Sequence, residues 1–138
     1  MRSSITLIAL IFAGALTMSA SAAPRIYVFN CGSINIADVA SFGLTNEETD
    51  VRDLFVPCYL IENGDQRLFW DGGLPLSLVG SKDLELEAGM KVSYPRSVLD
   101  QLQDIKLAPA DIDLVAFSHF HFDHIGAADA FADSTLLI

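Results

Sequence analysis

All three histidines of this 138-residue chain fall within six consecutive positions: the stretch "SHFHFDHIG", Ser118 to Gly126, carries His119, His121 and His124 with Asp123 among them. Imidazole nitrogen and carboxylate oxygen are donors that zinc accepts readily, and a catalytic site leaves one position open for water. In an extended backbone side chains alternate between faces, so His119 and His121 are expected to project together and share one ion, with Phe120 and Phe122 turned back into the core. Asp123 and His124 break that alternation and are directed across the opening toward a second ion. The loop is therefore expected to offer ligands to two divalent ions, zinc before others, although iron, manganese and cobalt accept the same donors. Water on such an ion ionises near pH 7 instead of about 15.7, which gives a nucleophile without a dedicated base. The second ion can polarise a carbonyl, and Asp123 can pass a proton to the leaving group, which makes it the catalytic candidate. The competing reading is a solvated histidine-rich loop that takes up metal adventitiously.

These donors need a scaffold. "LVAF", Leu114 to Phe117, is a short apolar run that reads as a strand buried on both faces, which places the histidines at its C-terminal end, where α/β folds set ligands. Upstream, Val98, Leu102 and Ile105 recur at helical spacing, with Leu99 beside them and Arg96, Asp100, Gln103 and Asp104 on the opposite face; Pro95 suits the first turn. "LFVPCYLIENGDQRLFWDGG" reads as a hairpin, Leu54 to Ile61 and Arg67 to Trp70, in which Pro57 marks an edge or a bulge. A first strand is expected at Arg25 to Phe29, ending in a turn at "NCGS". A surface connection with a helical turn around Ile36 to Phe42 follows it. "LSLVGSKDLELEAGMKVSY" reads as a loop or flap, "IGAADAFA" as a short helix, and "STLLI" as the beginning of another strand.

The N-terminus has the pattern of a secretory signal: Arg2, an apolar run from Ile5 to Ala15 too short to span a bilayer, and the small residues "ASA" at Ala20 to Ala22. Residues 1–22 are thus expected to be a signal peptide and 23–138 one domain or part of one, periplasmic or secreted, without stable membrane insertion after cleavage. The formal charge of −10 and the absence of a basic stripe argue against nucleic acid as a partner. The sequence assigns no oligomeric state. An exported chain can join Cys31 to Cys58, yet Cys58 in "LFVPCYLI" equally suits a buried thiol.

"SHFHFDHIG" resembles the HxHxDH signature of the metallo-β-lactamase superfamily, and "LFVPCYLIENGDQRLFWDGG" resembles its paired strands ending in an Asp-x-Gly turn, here Asp71 and Gly73. "LAPADIDLVAFSHFHFDHIGAA" is similar to the N-acyl-homoserine lactonase branch. The resemblance implies an α/β (α+β) fold, the αββα sandwich, with a dinuclear site, usually zinc: His119 and His121 on one ion, Asp123 and His124 on the other. It also places Asp71 beside the metals, where turn chemistry explains it as well, and Ser118 as a hydrogen-bonding support. The implied activity is hydrolysis of a small-molecule lactone or related ester, with thioester and β-lactam cleavage as alternatives. The family's further metal-binding histidines and aspartate come from a second half, and no histidine follows His124. The chain is therefore expected to represent an N-terminal half, with incomplete metal binding, little activity alone and an exposed apolar sheet edge. A non-catalytic metal-binding protein is the other reading.

Overall fold

The computed structural model describes residues 23–138, so the expected signal peptide lies outside the described residues. Seven strands form one sheet: β1 (Arg25–Ile36), β2 (Asp53–Asn63), β3 (Gln66–Trp70), β4 (Ser81–Glu87), β5 (Met90–Tyr94), β6 (Leu114–Ala116) and β7 (Thr135–Leu137). Their order across the sheet is β4-β5-β1-β2-β3-β6-β7. The β2–β3 hairpin forms as expected, closed by Gly64 and Asp65.

β1 runs seven residues past the expected stop at Phe29. "NCGS" is a bulge within the strand instead of a turn: Asn30 lies opposite Pro57 and Ser33 opposite Phe55, so β1 carries one extra residue. Pro57 faces that bulge, in the part of β2 beyond its pairing with β3, which covers only Tyr59 to Asn63, so no ladder amide is demanded of it on that side. Of the helical turn expected around Ile36 to Phe42 only a 3-10 turn at Ala40–Phe42 forms, and Ile36 stays in β1.

The segment expected to be a flap folds as the β4–β5 hairpin around Ala88 and Gly89, with β5 paired to β1. Its outer strand is exposed along nearly its whole length, so neither a buried nor a half-buried pattern is written into it. The predicted helix is α1 (Val98–Asp104). Pro95 precedes it by three positions and the cap is Ser97, whose side chain accepts from the Asp100 amide at 3.0 Å. Arg96 also lies before the helix and reaches across it to Asp104, at 2.6 and 2.8 Å. The Tyr94 hydroxyl accepts from the Val98 amide at 2.9 Å, which ties β5 to α1. β6 is parallel to β3 and to β7, and only Ala128–Phe131 of the expected final helix forms, as a 3-10 turn.

One face of the sheet is packed. Phe29, Leu60, Phe69 and Val115 join Val98 and Leu102 of α1 and Phe131 in a single core, where the Phe69 and Phe131 rings stack 4.5 Å apart. The opposite face carries Ile26, Ile61, Leu68 and Leu114 in one row of cross-strand partners and Val28, Tyr59, Trp70 and Ala116 in the next. It is open: Ile26 and Val28 are 66% and 60% exposed. One sheet with one helical layer agrees with the expected half of an αββα sandwich. The apolar edge expected at the sheet border is β7, where Leu136 and Leu137 are exposed. The cysteine question closes in favour of a bridge, Cys31–Cys58, with both residues fully buried. Among the described residues no helix is long and apolar enough to cross a membrane.

Candidate metal centre

The site forms where β3 and β6 end side by side. Trp70 and Ala116 are the last partners of the two parallel strands, and the Asp71 amide donates to the Ala116 carbonyl at 3.0 Å. Beyond that point β3 turns sharply through Asp71, Gly72, Gly73 and Leu74, all buried. Asp71 (φ 61°) and Gly73 (φ 66°) hold left-handed backbone angles. Few residues other than glycine adopt such angles, and aspartate is among those that tolerate them. β6 leads into the histidine loop, whose first residue, Ser118, is fixed by its amide donating to Asp71 Oδ1 at 2.7 Å.

The expected alternation across the histidines does not occur. The strand ends at Ala116, and the His124 and Ile125 amides donate to the His121 carbonyl at 3.0 and 3.3 Å, which winds the loop into a helical turn. Phe120 and Phe122 are consequently exposed, at 70% and 38%, instead of buried in the core. The imidazoles nevertheless gather: the ring centre of His119 lies 4.5 Å from that of His121 and 3.9 Å from that of His124. Asp123 joins them, with Oδ2 3.4 Å from His124 Nε2.

Behind the rings, Asp71 Oδ2 lies 3.0 Å from both Ser118 Oγ and His124 Nδ1. Ser118 Oγ is also 3.0 Å from His124 Nδ1 and 3.2 Å from His119 Nδ1. One assignment of protons satisfies the contacts among Asp71, Ser118 and the two Nδ1 atoms. The Ser118 hydroxyl donates to the Asp71 carboxylate, and its oxygen accepts from Nδ1–H of His119. Nδ1–H of His124 is shared between Asp71 and Ser118. With Nδ1 protonated on both rings, Nε2 of each keeps its lone pair, and that of His124 is turned toward Asp123. Carboxylate and hydroxyl groups that orient metal-binding imidazoles act in this way. In this assignment Ser118 serves as a hydrogen-bonding support between Asp71 and the two rings.

The donor chemistry and the oriented Nε2 atoms fit divalent ions. Among the described residues, however, no three His, Cys, Asp or Glu side chains come together as a group able to hold one ion. Four donors spread over two ions would leave each with two protein ligands, fewer than the three or four that zinc usually takes.

The rings open onto a cleft of about 520 Å³. Ile36, Phe42, Leu54, Val56, Met90 and Phe122 make its apolar walls, and His119, His121, Asp123 and His124 form its polar end. Sequence reasoning did not reach these wall residues. Ile36 and Phe42 fell in a segment read as a surface connection, and Met90 in one read as a flap. The available signal was the alternation of "INI" and of "MKVSY", each too short to stand out alone.

A family model described as the metallo-beta-lactamase superfamily matches residues 51–135. An N-acyl homoserine lactonase from a Bacillus species is 28% identical over 107 residues, covering 73% of this chain and 43% of the relative. Another, from Bacillus thuringiensis subsp. kurstaki, is 28% identical over 92 residues, covering 62% and 37%. Among solved structures, an N-acyl homoserine lactone hydrolase with the product N-hexanoyl-L-homoserine at its catalytic metal centre superposes with a TM-score of 0.64. It is 26% identical, over 80% of this chain and 46% of the other. A probable metal-dependent hydrolase from Staphylococcus aureus, 22% identical over 86% and 47% of the two chains, has a TM-score of 0.66 and speaks for the fold alone. The chain thus spans less than half the length of these relatives.

Proposed function

This chain belongs to the metallo-β-lactamase superfamily, and on that premise we propose that it carries the histidine loop of an exported, metal-dependent hydrolase that opens a lactone or related ester. The observation that carries this reading is the gathering of three imidazoles and Asp123 at the mouth of an apolar cleft, with Asp71 and Ser118 fixing two of the rings from behind. His119, His121, Asp123 and His124 would hold two divalent ions, zinc before others. When bound, such ions supply an activated water near neutral pH and polarise the carbonyl under attack.

The chain's own residues do the rest. Asp71 and Ser118 keep Nδ1 of His119 and His124 protonated, so each ring presents Nε2 as donor. Asp123 would pass a proton to the alkoxide that leaves when the ring opens. The apolar walls suit a substrate with a hydrocarbon portion, which favours an acylated lactone over a small polar ester. The buried disulfide is in keeping with an oxidising compartment, periplasmic or extracellular.

The test is zinc or cobalt uptake, followed by a panel of N-acyl homoserine lactones, thioesters and β-lactams, on the full-length protein that includes the second half the resemblance implies, with His119→Ala alongside. Lactone opening that depends on metal and is lost in the variant supports the reading, and hydrolysis of β-lactams alone would replace it. A second reading follows from the two-ligand shells that four donors would give two ions, fewer than a catalytic zinc site holds. It is a metal-binding protein without turnover, and it predicts cobalt uptake with no hydrolysis of any ester in the panel.

A further inference from the structure

We propose that the Cys31–Cys58 disulfide positions the histidine loop, so that the geometry of the proposed metal site is set in the oxidised protein and lost on reduction. The bridge lies at the β1 bulge, directly beneath the Asp71–Leu74 turn. A Cβ at Gly73 would collide with Cys31 Cβ and would stand 3.0 Å from both the Cys31 carbonyl oxygen and Cys58 Sγ, so the turn rests on the two bridged residues with no intervening space. The Leu74 amide donates to the Cys31 carbonyl at 3.2 Å, which fastens the turn to the same strand.

The other side of the turn holds the loop. The Gly126 amide donates to the Gly73 carbonyl at 2.8 Å, the Ala127 amide to the Gly72 carbonyl at 3.1 Å, and the Gly72 amide to the carbonyl of His124 itself. Sulfur bridge, turn and the His124–Ala127 end of the loop therefore form one continuous stack. Two thiols need more room than a bonded pair, since non-bonded atoms settle roughly 3.5–4 Å apart. Close-packed interiors transmit such a change instead of absorbing it. Here the atoms directly above are Gly73 and, through its hydrogen bonds, Gly126 and His124.

Formation of the bridge is a thiol–disulfide exchange. The two cysteine thiols become one disulfide, and an external disulfide takes the two electrons and two protons and leaves as two thiols. The proposal rests on the metal reading only in its consequence for the ions. The stack itself is independent of them.

The experiment compares the full chain oxidised and after reduction with a water-soluble phosphine. It reads amide hydrogen exchange at Gly72 and Gly126 and cobalt affinity from visible absorption. Leu102→Ala, with the bridge intact and α1 loosened, controls for general loss of stability, and Cys31→Ala/Cys58→Val removes the bond while refilling apolar space if the reduced chain unfolds. The expected result is at least a tenfold loss of protection at Gly72 and Gly126 and a tenfold weaker cobalt affinity without the bond, with neither change in Leu102→Ala. Unchanged protection at the two glycines, or an equal loss in Leu102→Ala, would overturn the proposal. Loss of protection with no cobalt bound in either state would uphold the positioning and sink the metal reading.

Discussion

Two short segments meet at the site, and they are built in opposite ways. The Asp71–Leu74 turn is entirely buried and holds left-handed angles at Asp71 and Gly73. It has no side chain facing solvent. The Ser118–Gly126 loop exposes its residues from Ser118 to Phe122 to a greater or lesser degree, and it carries all the proposed donors. Chemistry sits on the segment that water can reach, and placement on the one it cannot. A change in the turn should therefore cost folding and metal together, whereas a change of a donor should cost metal alone.

The hardest test of that division lies at their contact. Gly126 packs so closely on Gly73, Leu74 and Pro75 that a Cβ would overlap their backbone atoms. Gly126→Ala should destabilise the chain by more than about 4 kcal/mol, the range reserved for such overlaps. A shift in urea midpoint smaller than that of an ordinary surface change would refute the picture of a rigid contact.

Asp71→Ala comes next. It removes the acceptor of the Ser118 amide and of the Ser118 hydroxyl, and takes one partner from His124 Nδ1, at a cost of about 2 kcal/mol. Because it also frees the rings to rotate, zinc affinity should fall about 10- to 100-fold. Chemical denaturation and chelator competition on one sample read both losses. A loss of stability without a loss of affinity would confine Asp71 to turn chemistry.

Acid weakens the protein from a third place and so sharpens the contrast. Glu62 is clamped between Arg67 at 3.0 Å and Arg25 at 2.8 Å, and its carboxyl is held below the ordinary range, chiefly by the hydrogen bond from Arg67. A carboxylate whose folded pKa is lowered contributes stability above its unfolded pKa and loses that contribution as pH falls through the folded value. Thermal unfolding should therefore move down on the acid side, and Glu62→Gln should flatten that slope without altering exchange at Gly72. The smallest effect on folding belongs to His121→Ala, within about 0.5 kcal/mol, since the ring is exposed and makes no hydrogen bond that the fold needs. Its cobalt affinity should nonetheless drop tenfold or more, and an unchanged value would remove His121 from the site.

Much of this was legible in the chain. The β2–β3 hairpin was written by "ENGDQ" between two apolar runs, α1 by the spacing of Val98 and Leu102, and β6 by "LVAF", because each signal is local and strong. β4 was missed because an edge strand exposed on both sides has no burial pattern to leave, and β5 because its alternation, with Val92 and Tyr94 buried, is too short to stand out. The run of β1 through Asn30 to Ile36 was missed because a bulge imitates a turn until its partner strand is known. Phe120 and Phe122 were misplaced for a related reason: alternation was extended past Ala116, where the hydrogen-bonded turn at His121 ends it.

By itself the sequence determined the kinds of atoms available to the site, three imidazoles and a carboxylate after a buried strand, because residue type and short-range order suffice for that. Only the tertiary structure decided that Cys31 meets Cys58, that Asp71 reaches Ser118 and His124, and that Nδ1 is the nitrogen His124 turns toward them. Those contacts join residues 27, 47 and 53 positions apart. No local propensity encodes such separations, and only the packing of β1, β2, β3 and β6 side by side brings them within bonding distance.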